Sequence, residues 1–282
     1  MPHRLMLLLA LCLSTTVHAQ AEVEDLRDVM SARAYAMGGA YRALGMGTEA
    51  VLGNPAAIAM WQMYRIEMHG AWDTHNKDAF GGVALMDAKT SQLAAGLDYH
   101  ILSLRNGEGR ATAHYSTLAF ALPITPGVMV GTSVHYLRMS SPRQANSTTV
   151  SAGLLLRLSD GISAGFSAHN LIDTQNEELG RYYSAHLGFM TGLLTLAGDV
   201  RADFESREER IFTYSVGGEY ILGQTLPFRV GYTYDGFQKA SQLGVGLGFL
   251  TGEGGGIDIG YRHDLGGEKG RLVALTIKLQ VG

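Results

Sequence analysis

The sequence predicts an all-β protein: an antiparallel transmembrane β-barrel of about 14 strands with a short N-terminal helical hatch. Three observations predict it. The chain opens on an export signal. From Tyr64 to the end, apolar and polar residues alternate with period two. The links between the alternating segments are by turns short and long, as in bacterial outer-membrane barrels.

The first element is the signal, residues 1–19. Arg4 supplies its positive start and Leu5 to Leu13 its apolar stretch. Val17-His18-Ala19 and Ala19-Gln20-Ala21 each offer small residues for cleavage. The apolar stretch is too short to cross a membrane as a helix. Cys12, the single cysteine, lies inside it, and Leu11 before it does not suit a lipoprotein site. The mature chain is therefore expected to have no disulfide, no cysteine-based zinc site and no cysteine nucleophile.

Residues 22–60 form the second element, an Ala/Gly-rich periplasmic segment and hatch with helical stretches. Asn54 is a good N-cap and Pro55 a good first helical residue, so a short helix should begin there. Gly38, Gly39, Gly45 and Gly47 allow the close packing a plug needs.

The barrel follows, over residues 61–282. In Tyr64 to Asp73, apolar Tyr64, Ile66, Met68 and Trp72 share one face, and Arg65, Glu67, His69 and Asp73 share the other. The same rule gives segments near 64–73, 80–87, 93–104, 112–122, 128–138, 148–158, 162–169, 182–190, 193–203, 211–222, 227–235, 241–250, 255–263 and 271–281. Most match the ~9–11 residues a tilted strand needs to cross a bilayer. Segments 80–87 and 255–263 are the weakest, which makes twelve strands the nearest alternative count.

Even-numbered links are short, such as 159–161, and odd-numbered ones tend to be longer, such as 170–181. This asymmetry puts the N-terminus in the periplasm of a Gram-negative-type outer membrane. A secreted soluble β-protein would also alternate, but small, glycine-dotted faces would make an unusual exterior. Tyr64, Trp72, Tyr136, Tyr182, Tyr183, Tyr234 and Tyr261 sit near segment ends, as an aromatic girdle requires.

The predicted lumen carries Arg65, Arg157, Arg201, Arg229, Arg262 and Lys278 against Glu67, Asp98, Asp199, Glu219 and Asp258. A strongly ion-selective pore shows one dominant sign. The near balance points instead to ion pairs that fill and stiffen the barrel. His69, His100, His114, His135, His169 and His186 are also expected on interior faces, as polar lining rather than a metal site. No metal and no cofactor is expected. The chain is read as a non-enzyme, since it has no Gly-x-Ser-x-Gly elbow. The glycines of Gly244-Val245-Gly246-Leu247-Gly248 alternate as one strand face and do not form a nucleotide loop. A net charge of −4 with no basic block excludes nucleic acid as a partner.

The stretch Ala36-Met37-Gly38-Gly39-Ala40-Tyr41-Arg42-Ala43-Leu44, followed by Glu49-Ala50-Val51-Leu52-Gly53-Asn54-Pro55-Ala56-Ala57-Ile58-Ala59, resembles the N-terminal hatch of the FadL-like superfamily. Its members include long-chain fatty-acid transporters and PorV/PorQ-type proteins. Gly165 to Leu171, Gly217-Gly218-Glu219-Tyr220 and Phe228 to Tyr232 are similar to the PorV/PorQ-type branch. The resemblance implies fourteen strands and a hatch or gate that includes Gly38, Gly39, Asn54, Pro55 and Ala56. It implies outer-membrane lipids as partners and one of two roles. The first is a channel or transporter with a small hydrophobic molecule in the lumen. The second is a PorV-like docking or accessory protein for secretion or envelope partners. Two departures stand out. The long outer loops of fatty-acid transporters are missing, and the chain ends Gln280-Val281-Gly282 without a terminal aromatic residue.

Overall fold

A computed structural model describes residues 29–281 except 76, 107–108, 141–144, 206–208, 253 and 267–269. The predicted signal peptide, residues 1–19, lies outside the described residues.

The alternating segments form fourteen strands that close on themselves. They are β1 (Tyr64–Asp73), β2 (Ala79–Asp87), β3 (Ala94–Asn106), β4 (Gly109–Thr125), β5 (Val128–Met139), β6 (Ala145–Arg157) and β7 (Ile162–His169). The remainder are β8 (Tyr182–Met190), β9 (Leu194–Asp203), β10 (Ile211–Leu222), β11 (Leu226–Asp235), β12 (Ala240–Leu250), β13 (Gly255–Asp264) and β14 (Arg271–Val281). Each strand pairs antiparallel with its sequence neighbour, and β1 pairs with β14 from Tyr64↔Val281 to Asp73↔Leu272. Closure removes the free edges that an open sheet would present, so no wall strand is left with unpaired backbone in lipid. The two weakest segments are real strands, β2 and β13, and the twelve-strand count is set aside.

Period-two alternation now has a physical meaning. Ile66 is 45 % exposed while Glu67 beside it is 1 % exposed, and Val230 is 56 % exposed beside Arg229 at 5 %. The outward row of Val, Leu, Ile and aromatic residues is a lipid face, and the polar row is buried in the lumen. Two expectations fail on this geometry. His114 faces outward, because β4 turns Ala111, Ala113, Tyr115, Thr117, Ala119 and Ala121 inward. It stacks on Tyr99 and bonds its hydroxyl at 2.8 Å. A polar residue was read there as lumenal, but Leu118, Phe120 and Leu122 fix the phase of the strand. Tyr182 likewise leaves the aromatic girdle, since it turns inward and stacks on His169 at 4.2 Å.

The wall is taller on one side. β4 has 17 residues and β7 only 8. The extra height consumes a link: β3 and β4 run to Asn106 and Gly109, so the third link is short although its number is odd. The second link, 88–93, is correspondingly longer than expected. The longest links, 170–181 and 204–210, still lie at the end of the barrel opposite Tyr64 and Val281. Aspartates end several strands at that far rim. Asp73, Asp203 and Asp235 each accept a backbone N–H two residues on, from His75, Glu205 and Phe237. These are Asx turns, which let the chain leave a strand without orphaning its first loop amide.

Candidate functional site: a latched hatch in the lumen

Residues 29–63 fill the barrel. The segment was expected at the periplasmic end, but it extends further. Val29 packs with Leu102, Leu104, Leu137 and Met139 near the far rim, whereas Met60 and Met63 lie by the end where β1 begins. Two short helices and a 3₁₀ turn organise it: α1 (Ala32–Ala36), α2 (Ala50–Gly53) and Pro55–Ala59. Ser31 caps α1 by accepting from Ala34 N at 3.2 Å. The predicted helix at Pro55 is present as a 3₁₀ turn and not an α-helix. Asn54 caps it as the sequence suggested, with Oδ1 accepting from Ala56 N at 3.1 Å. Its Nδ2 donates to Leu154 O on the wall at 3.4 Å, so the cap is also a wall contact. The five-residue segment is too short to hold an α-helix by itself, and packing sets its form.

Wall glycines let the hatch backbone come close. A Cβ at Gly231 would strike the backbone of Met37 and Gly38, and one at Gly131 would strike that of Pro55 and Ala56. Similar contacts place Tyr35 against Gly244 and Ala32 against Gly260. Gly38 itself has φ +63° and its missing Cβ would meet the backbone of Tyr232, so conformation and space both demand glycine. Gly39 shares the left-handed conformation, at φ +76°.

Hydroxyls of the wall satisfy the hatch backbone between these glycine contacts. Ser163 donates to Ala43 O at 2.6 Å, Ser167 to Gly53 O at 3.2 Å and Thr233 to Gly38 O, while Thr276 accepts from Ala32 N at 2.9 Å. A short irregular segment inside a barrel would otherwise bury unpaired amides at a cost of ~1–3 kcal/mol each.

Charges fasten it at three places. The first is a buried chain of alternating sign. Arg33 meets Glu219 through two nitrogens, at 3.2 and 3.1 Å, and Glu49 at 3.4 Å. Arg229 continues from Glu219, at 2.5 Å, to Asp258, at 2.8 Å, and Lys278 closes the row on Asp258 at 2.5 Å. Burial alone would lower the pKa of Arg33, but the Glu219 and Glu49 carboxylates outweigh it and leave it raised, so the guanidinium stays charged. The second latch is Arg42, paired with Asp199 at 3.1 Å, whose same oxygen accepts the amides of Tyr41 and Arg42 at 3.2 and 3.3 Å. The third is Thr48, which donates to Glu67 at 2.6 Å, and Glu67 in turn holds Arg65 at 2.5 Å.

The expected lumenal charges thus fall into separate groups. Glu219, Arg229, Asp258 and Lys278 come together, and so do Arg65 and Glu67, with Gln280 bonded to Arg65 at 2.6 Å. Asp98 stands apart, paired with His100 at 2.6 Å. Arg157 reaches the hatch at Met60 O, 2.5 Å away, with its guanidinium over Trp61. Arg201 and Arg262 face a small space beside Arg42, and Arg262 lies over the Tyr35 ring. The sequence reading treated the wall charges as partners of one another. It missed Arg33, Arg42, Thr48 and Glu49, the hatch side of the latches. The available signal was a pair of arginines in an Ala/Gly-rich segment destined for burial, where a charge needs a counter-charge.

The sequence matches no protein-family model and no curated protein. Solved structures do share its architecture. The toluene transporter TbuX of Ralstonia pickettii aligns with a TM-score of 0.70 at 12% identity, over 89% of this chain and 97% of that one. The Pseudomonas putida toluene transporter TodX gives 0.68 at 12% identity, over 89% and 97%. A Pseudomonas aeruginosa FadL homologue gives 0.67 at 11% identity, over 89% and 98%. At such identities the likeness is one of fold, and this chain has the closed fourteen-strand barrel of FadL-type structures.

Proposed function

We propose that the protein is an outer-membrane channel for small hydrophobic molecules, with the hatch as its gate. The observation that carries this reading is the nature of the seam between hatch and wall. It combines apolar clusters with hydrogen bonds, ion pairs and close backbone contacts at glycines, so polar latches fasten the hatch at several places along the wall. Polar latches of this kind can exchange partners or take up water, so a seam made of them can open without dissolving the barrel. The shared fold with the toluene transporters TbuX and TodX favours hydrophobic cargo. The short links at the Tyr64 and Val281 end favour a periplasmic position for that end.

A PorV-like docking role is the competing reading, and it rests on the strand motifs from Gly165, Gly217 and Phe228. Native mass spectrometry of the protein purified in mild detergent separates the two. Channel function predicts a retained hydrophobic small molecule. A stoichiometric protein partner with no such ligand would favour docking and overturn the channel.

A further inference from the structure

The outward face of the wall is not uniform towards the far rim. On β8, β10 and β11 it carries exposed Tyr183, Phe212, Tyr214, Tyr232 and Tyr234, as a membrane-interface girdle does. On β4 to β6 the pattern differs. The outward residues of β5 run from Val130 and Val134 through Tyr136 to Arg138, so a cation stands one outward position above the aromatic ring. Register sets His114 of β4 opposite Arg138, and Arg138 opposite Asn146 of β6. Such cross-strand neighbours have Cβ atoms about 5 Å apart. Thr112 and Ser140 stand one step nearer the rim, with Thr112 N donating to Ser140 Oγ at 2.9 Å. These five side chains border one open concavity. Two more basic groups continue the surface. Arg110 donates to Ser103 Oγ at 2.6 Å and to Lys77 O at 3.1 Å, and Lys77 Nζ lies 5.6 Å from the centre of the Trp72 ring. Lys77, Arg110 and Arg138 are all exposed, and among the described residues none is in an ion pair. The acids nearest Lys77 in sequence, Asp73 and Asp78, are buried on the lumen side. From β1 to β5 the far rim therefore exposes basic side chains and no acidic one among the described residues. Across the barrel the signs are mixed: Arg181 pairs with Glu205 at 2.9 Å, and exposed Glu209 adjoins Arg210.

Cations of one sign, on the lipid-facing side and just above an aromatic ring, stand at the depth of lipid headgroups. We propose that the outward face of β4 to β6, with Arg110 and Lys77 beside it, binds a phosphorylated glycolipid of the outer leaflet. A guanidinium is a planar fork of donors that matches phosphate oxygens, which suits Arg138 and Arg110 to that group. The surroundings of Arg138 select a sugar over a plain phospholipid. Thr112, Ser140 and Asn146 bring hydroxyl and amide groups to the same concavity, and these are the partners that sugar hydroxyls use. The cations fall at two places, Arg138 and the Arg110–Lys77 pair, which fits a headgroup with two separate phosphates. Below them Val134, Leu118 and Phe120 face outward and would meet the acyl chains. The inference rests on the reading that the far rim faces the cell exterior, and not on what the barrel passes.

The test is a native mass-spectrometry titration of the delipidated mature protein in mild detergent. The probes are bisphosphorylated lipid A, the same lipid stripped of both phosphates, and phosphatidylglycerol. Three forms are compared: the natural chain, Arg110→Gln with Arg138→Gln, and Arg210→Gln with Lys239→Gln, which removes two exposed cations on the opposite side. The heat-induced gel shift confirms that each form is folded. The natural chain should bind lipid A at a fixed stoichiometry. Loss of Arg110 and Arg138 should weaken that binding by about tenfold, and loss of Arg210 and Lys239 should leave it unchanged. The phosphate-free lipid should bind the natural chain no better than lipid A binds the Arg110 and Arg138 variant. Equal binding by all three forms, equal weakening in both variants, or phosphatidylglycerol bound as tightly as lipid A overturns the proposal. So does a protein partner that co-purifies with the natural chain, is lost from the Arg110 and Arg138 variant, and takes the place of lipid A binding. Orientation is checked separately, with a bulky membrane-impermeant maleimide on whole cells carrying Lys239→Cys. Labelling there supports the glycolipid. No labelling alongside intact lipid A binding in detergent would reject the outward orientation, and with it the glycolipid as natural occupant.

Discussion

At the scale of the residue, the barrel uses its smallest side chains where most proteins use their largest. Gly231 touches hatch backbone, so Gly231→Ala must displace either Met37 or the wall. Overpacking of this kind costs ~1–3 kcal/mol. Gly192, in a turn with nothing near its absent Cβ, is the matched control. The temperature midpoint of the heat-induced gel shift should fall for Gly231→Ala and stay put for Gly192→Ala. Equal behaviour would mean that the seam tolerates a methyl group and is looser than described. Glu219 makes a different case. It holds hatch Arg33 and wall Arg229 at once, and side-chain burial leaves it 3% exposed. Removing one member of a buried charge network costs ~3–5 kcal/mol, because the remaining charges lose their neutralisation. Arg33 keeps Glu49 and Arg229 keeps Asp258, so the low end of that range applies to Glu219→Gln. About 3 kcal/mol is roughly a hundredfold in an equilibrium. If the chain opens by unseating the hatch, the open fraction in planar-bilayer recordings should rise by about that factor, while the barrel remains heat-modifiable. Asn54→Ala removes the cap and the contact to Leu154, and a lost cap costs on the order of 1 kcal/mol. It should raise the open fraction several-fold, clearly less than Glu219→Gln, and the reverse ranking would argue that apolar packing around Pro55 controls seating.

At the scale of the element, facing decides everything, and facing is what period two makes legible. Single cysteines at positions 66 and 230 should react with lipid-phase probes, and those at 67 and 229 should not, given the exposure of Ile66 and Val230 and the burial of Glu67 and Arg229. Reaction in the opposite pattern would invert the wall. The sequence carried this much because a lipid face and a lumen face differ in polarity at nearly every strand. It failed where that contrast vanishes. On β4 the inward face is mostly alanine, so His114 looked lumenal until Leu118, Phe120 and Leu122 set the phase. Tyr182 fits either face by composition, and its place follows from the stack with His169, a residue thirteen positions earlier that only the wall register brings near. The height of β3 and β4 was hidden too, because their polar ends read as loop. In the hatch, the cap at Asn54 was legible because it is local. The latches were not, since Arg33 and Glu219 are 186 positions apart and no short-range pattern joins them.

At the scale of the whole molecule, the question is whether anything passes while the hatch stays seated. The lumen is occupied along most of its length, from Val29 beside Leu104 near the far rim to Met60 beside Arg157 at the other end. Among the described residues, the hatch contributes to four hydrophobic clusters against the inner wall and to all three latches. The barrel itself does not depend on them for closure, because every strand pairs with two neighbours and β1 meets β14 through ten register positions. Wall pairing and hatch seating are therefore separable, and deletion of residues 31–60 should leave a folded, heat-modifiable barrel. That barrel would keep a lumen lined by Glu67, Asp98, Asp199, Glu219, Asp258 and their basic partners. Such a lining is wetted readily, and its mixed signs favour no one ion strongly. The deletion should accordingly raise single-channel conductance from near baseline to a large, steady and weakly selective level in planar bilayers. A folded deletion barrel that stays near baseline would show that the wall side chains collapse to close the lumen by themselves. The hatch would then be an assembly filler, and the gate would have to be sought in the wall.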